Sequence, residues 1–194
     1  MALSVTSICN MALARIGANR LTSYDDDTSV EAIHCRLHYE QTRDSLLQSH
    51  WWRFAVKRAE LSEDESSPDF GWDYQFVLPA DYLSCIGLYD TVSSYSLEGS
   101  LLLTNDGSAD LVYIAQVTDV TTFSPMFVEV LVLQLALKLV MPLSQDKVLR
   151  RELQEEYAMT MARAKTNNKA EMETIGREDL YLWNDARLIT TYAS

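Results

Sequence analysis

The chain has 194 residues, 47% of them hydrophobic and 23% charged, which supplies one globular domain with a sizeable core and room for a smaller lobe. Its formal charge of −12 argues against a sequence-reading nucleic-acid binder, which would carry a basic patch, and against an anionic membrane surface as partner. The three cysteines, Cys9, Cys35 and Cys85, form no CxxC pair, so neither a disulfide framework nor a zinc knuckle is expected.

The opening stretch MALSVTSICNMALARIG lacks the basic flank and long apolar run of a signal peptide, so a mature, cytosolic chain is expected. A first helix is predicted from Ser4 or Thr6 to Ile16. Val5, Ile8, Ala12 and Ile16 share one face, and Gly17 is the stop. The connection that follows carries the acidic run Asp25 to Asp27. That run lacks the ligand spacing and glycine of a calcium loop, so it reads as a solvated turn near the next helix start.

Thr28 and Glu31 read as a capping box for a second helix reaching Ser49. Ala32, Cys35, Tyr39, Thr42 and Leu46 form its inward stripe, widened by Ile33, Leu37 and Leu47, with Arg36, Glu40 and Arg43 on the polar side. His34 and His38 have the i, i+4 spacing of two metal ligands, but no third ligand follows in sequence, and they read as surface or interface histidines. Beyond the helix, Trp51, Trp52 and Phe54 concentrate aromatic area and are expected to plug one end of the core. Arg53, Lys57 and Arg58 are the densest basic group and candidates for an acidic partner surface.

Past the polar loop 62–71 the period changes from helical to alternating. Strands are predicted near 74–78, 84–89, 94–97, 101–104 and 110–116, with turn chemistry at Glu98-Gly99 and Asn105-Asp106-Gly107. They suggest an antiparallel meander. The stretch FSPMFVEVLVLQLALKLVM, Phe123 to Met141, is then apolar nearly all round. Ser124 is its N-cap, Pro125 its first residue and Pro142 its stop. A bilayer span needs about 20 apolar residues, and this run is shorter and carries Glu129 and Lys138, so a buried central helix is expected.

A last helix is predicted from Ser144 to Lys165, with Arg151 and Glu155 placed for an i, i+4 contact and Met159 on a face suited to an interface. The remaining tail holds the anchors Tyr181, Leu182, Trp183, Leu188, Ile189 and Tyr192 in a polar setting, as in segments that order against a partner. The expected fold is therefore α+β: mainly a helical bundle around a central apolar helix, with an inserted small antiparallel β-meander and an extended C-terminal tail. The divisions fall at 1–61, 62–120, 121–165 and 166–194. No GxSxG, P-loop, GxGxxG or HExxH motif is present, and the 6 glycines do not cluster. No cofactor, metal or catalytic residue is expected.

Three stretches carry a resemblance to a known family. They are ALARIGANRLTSYDDDTSVEAIHCRLHYEQTRDSLLQSHWWRFAVKRAEL over 12–61, FGWDYQFVLPADYL over 70–83, and YIAQVTDVTTFSPMFVEVLVLQLALKLVMPLSQDKVLRRELQEEYAMTMARAK over 113–165. Together the chain resembles the head-to-tail adaptors of short-tailed bacteriophages, the tail tubular protein A type. The resemblance implies a non-enzymatic virion protein, made in the host cytoplasm and placed at the head–tail junction. It implies a homo-oligomeric ring, a dodecamer, between portal protein and tail nozzle protein, with tail fibre as a further contact and DNA passing through unread. The helices 144–165 and 28–49 are the expected subunit contacts, through Arg43, Arg151, Glu155 and Met159, and the C-terminal anchors the expected contacts to portal or neighbour. The alternatives are another oligomeric scaffold, or a tail-associated hydrolase with its site near the tryptophans and His34, His38 or His50.

Overall fold

The computed structural model of the chain describes residues 3–89 and 93–173. The protein is mixed α+β, with four helices and two small antiparallel sheets among the described residues. It divides into a helical unit, up to Phe54 and again from Val117, and a β unit from Ala55 to Gln116.

In the helical unit, α1 (Val5–Arg15) starts at Ser4, whose hydroxyl accepts from Ser7 N–H while Ser7 returns the bond to the Ser4 N–H. It ends before Gly17, whose φ of 68° is the left-handed turn that sequence predicts there. The N-cap of α2 (Val30–Gln48) is Ser29 rather than Thr28, since the Ser29 hydroxyl accepts from Ala32 N–H. Glu31 accordingly does not close a box. It accepts from Asn19 instead, and that bond holds its carboxyl below the usual range.

The predicted stripe of α2 is buried, namely Ala32, Cys35, Tyr39, Thr42, Leu46 and Leu47. Ile33 and Leu37, expected to widen it, point to solvent. Arg43 is the opposite correction. It is 5% exposed, its Nε donates to Asp44 Oδ1 at 2.8 Å, and its guanidinium lies 6.0 Å from the Tyr39 ring centre. Arg43 stands four residues from both Tyr39 and Leu47, so the 3.6 period itself places it on the buried stripe, and only its charge argues for the polar side.

The apolar run forms α3 (Pro125–Leu143), with the Ser124 hydroxyl accepting from Phe127 N–H. By length and composition this helix could cross a membrane, but half of that stretch is already buried inside the protein, and α1, α2 and α4 each pack against it. Pro142 lies inside its last turn instead of stopping it. The helix ends at Leu143, the N–H groups of Ser144 and Gln145 both reach the Val140 carbonyl at 2.9 Å, and Gln145, at a φ of 56°, then turns the chain away. The last helix, α4 (Lys147–Glu173), begins after Asp146, not Ser144, with Asp146 Oδ1 accepting from Val148 and Leu149 N–H. It also runs eight residues past the expected end at Lys165.

The β unit holds β1 (Val56–Glu60), β2 (Tyr74–Val77), β3 (Tyr82–Leu88), β4 (Tyr95–Glu98), β5 (Leu101–Thr104) and β6 (Asp110–Ala115). The five predicted strands are present within two residues at each end, but they do not form a meander. One sheet runs β1-β6-β3 and the other β2-β5-β4, so β6 and β5 are the central strands. β1 lies in a run that sequence assigns to the helical half ending at 61. Its composition, VKRAE, gives no clean apolar alternation, and pairing with β6 in register Lys57↔Tyr113 and Ala59↔Leu111 decides its conformation. Leu61, Phe76, Leu88, Leu102, Leu111 and Tyr113 form the core of this unit.

Asp81 is the polar fixture of the first sheet. It accepts from Lys57 Nζ at 2.6 Å and from the Tyr113 hydroxyl at 2.9 Å. The Lys57 bond leads the effects that hold its carboxyl below the usual range, while burial and then Asp81 push the Tyr113 phenol up to about 12. A depressed carboxylate stabilises the fold above its unfolded pKa and loses that effect as pH falls through the folded value. Asp81→Asn is therefore expected to lose about 1 kcal/mol at neutral pH, a figure discounted for the half-exposed pair. The gap from the parent should close below about pH 4 in urea unfolding series.

Candidate interaction surfaces

The geometry of α4 separates an inward edge from an outward one. Leu153, Thr160, Met161, Ala164 and Asn168 are buried at helical spacing. Arg151, Glu155 and Met159 lie on the opposite side at i, i+4 and i+8 and are exposed, Met159 at 67% and Val148 near the same face at 58%. The ion pairs among the described residues are Arg15–Glu156, Arg43–Asp44 and Lys57–Asp81. The Arg151–Glu155 contact expected from spacing is not one of them, which leaves both side chains extended toward solvent.

A second outward apolar line runs along α2, where Val30, Ile33 and Leu37 are 60%, 52% and 65% exposed. Beside it the rings of His34 and His38 lie parallel, 6.3 Å apart. Burial, then His34, then Lys138 on α3 hold the His38 pKa below its ordinary value, so the pair sits next to a cation. No group of three or more His, Cys, Asp or Glu side chains suited to a metal ion occurs among the described residues. The acidic loop is likewise engaged with its own backbone. Asp27 accepts from Ser29 N–H and Thr22 N–H, and these bonds lower its pKa to about 2. Asp26 accepts from the Ser23 hydroxyl.

The aromatic stretch after α2 closes the core of the helical unit. Trp52 is 1% exposed, its indole N–H donates to the Leu46 carbonyl at 2.8 Å, and its ring stands edge-on to Phe127 at 5.0 Å. Phe54 continues the stack onto Phe123 and Phe127. His50 lies against the same cluster, and sequence gave no signal for its partner Asn168, which sits in a polar run that reads as linker. The basic group divides: Lys57 is bound to Asp81, whereas Arg58 lies 5.2 Å from the Tyr89 ring centre. Arg58 and Tyr89 line a cleft of about 190 Å³ with Glu60 and Asp110, where two carboxylates accompany the one cation.

The C-terminal anchors Tyr181, Leu182, Trp183, Leu188, Ile189 and Tyr192 lie outside the described residues. Compared with known proteins, the chain matches no family model and no curated protein.

Proposed function

We propose that the chain is a structural, non-enzymatic virion protein of the head-to-tail adaptor type, assembling as a ring that joins the portal to the tail nozzle and lets DNA pass. The observation that carries this reading is the presence of two separate outward apolar lines, Val30–Ile33–Leu37 on α2 and Val148 with Met159 on α4. Exposed patches of this kind mark association surfaces. Two different faces on one chain pair head-to-tail, and a head-to-tail contact that closes makes a ring.

In this reading the helices form a bundle organised on α3, a stiff frame that presents α2 on one side and α4 on the other. Arg151 and Glu155 border the Met159 contact and fix its register, while Arg43 supports α2 from inside. The β unit and the C-terminal anchors engage portal and nozzle. With −12 charges per copy, the lumen repels phosphate and DNA slides without being held.

Native mass spectrometry of the chain mixed with portal protein tests the reading. A defined multimer seated on portal supports it. A chain that stays monomeric, or binds portal in a one-to-one pair, favours a scaffold or regulator instead.

A further inference from the structure

The far end of α4 is tied to the segment after α2 by one buried side chain. Asn168 Oδ1 accepts from the Arg53 N–H at 3.0 Å, and its Nδ2 donates to the Trp51 carbonyl at 2.7 Å. These two backbone groups fix the amide orientation, because a flipped amide would set donor against donor and acceptor against acceptor. The same Nδ2 lies 3.1 Å from His50 Nε2. Since Nδ2 only donates, Nε2 must accept, and the imidazole is neutral with its proton on Nδ1.

We propose that Asn168 and His50 form a pH-operated latch, closed while His50 is neutral and opened by a proton on Nε2. Protonation turns the acceptor into a donor facing the Asn168 amide hydrogens, so the bond is lost and replaced by a repulsive contact. Lys165 on α4, one turn before Asn168, is the charged group acting on His50 among the described residues, and it adds to that repulsion. Burial first, and Lys165 second, hold the His50 pKa below 6.5. For a base with a depressed folded pKa the stabilisation is complete above the unfolded value and is lost as pH falls from there to the folded value. The latch therefore opens on mild acidification, releasing the last turns of α4.

Amide hydrogen exchange along residues 163–168, corrected for intrinsic rates, tests this at about pH 7.5 and about pH 5.5, either side of the ordinary histidine pKa. In the parent, protection should fall roughly tenfold at the lower pH, the size of one lost hydrogen bond. His50→Gln offers an acceptor that does not titrate, and should keep its protection at both values. The comparison separates a change at His50 from any other effect of pH on the protein. Equal protection of the parent at both values overturns the latch, as does an undiminished fall in His50→Gln. Should His50→Gln not fold, nuclear magnetic resonance of the parent His50 ring decides. A neutral Nδ1–H tautomer with a pKa below the ordinary value supports the latch, and an Nε2–H tautomer or a raised pKa overturns it.

Discussion

Replacing Trp52 by alanine is expected to destabilise the protein by about 3–5 kcal/mol, the range for emptying a buried tryptophan site. Three effects add at this position. The indole is 1% exposed, so nearly all of its apolar area returns to water on truncation. Its edge-on contact with Phe127 at 5.0 Å disappears, and the stack that Phe54 and Phe123 continue loses its inner member. The Leu46 carbonyl, which caps the end of α2 through the indole N–H, loses one partner, though the Ser49 hydroxyl also donates to it at 2.7 Å. Since net stabilities are about 5–15 kcal/mol, this one change removes a large share. Urea unfolding followed by tryptophan fluorescence and circular dichroism measures it. A loss under about 1 kcal/mol would mean that the site collapses around the missing ring.

The second large effect concerns assembly and leaves the subunit alone. Met159→Glu places a carboxylate on the outward line of α4, at a side chain 67% exposed in the single chain. Stability of the subunit should change by no more than about 0.5 kcal/mol, as for most surface substitutions. If the α4 face is a subunit contact, the same charge is desolvated without a partner on association, and self-association should weaken by at least tenfold, or about 1.4 kcal/mol. Sedimentation velocity over a concentration series reads both arms. Unchanged association with an unchanged fold would remove α4 from the contact.

Much of the helical unit was legible in sequence because its signals are local. Ser124-Pro125 announces the start of α3, Gly17 the end of α1, and the 3.6 spacing from Ala32 to Leu46 the buried edge of α2. What was not legible depends on partners distant in the chain. β1 is a strand because β6 pairs with it, despite a charged sequence with no alternation of its own. Arg43 is a different case, since its partners Tyr39 and Asp44 are local: helical spacing puts it inside, and its charge masks that position. Ile33 and Leu37 are outside although their hydrophobicity argues for the core, and that reversal is itself the informative feature.

The interaction surfaces follow the same division. That Arg151, Glu155 and Met159 share one exposed face of α4 could be read from spacing, since a helical face follows from the sequence alone. The Asn168–His50 contact joins residues 118 positions apart, and an asparagine within a polar run carries no mark of it. In the Asp25–Asp27 loop, Asp27 is turned back on the Thr22 and Ser29 amides, a contact between near neighbours in sequence.

A cryo-electron microscopy reconstruction of the chain mixed with portal protein tests the central claim most directly. The account predicts a closed ring of copies seated on portal, with Met159 and Val148 of one copy buried against Val30, Ile33 and Leu37 of the next. A chain that forms no ring on portal, or a ring in which both lines remain in solvent, would contradict it.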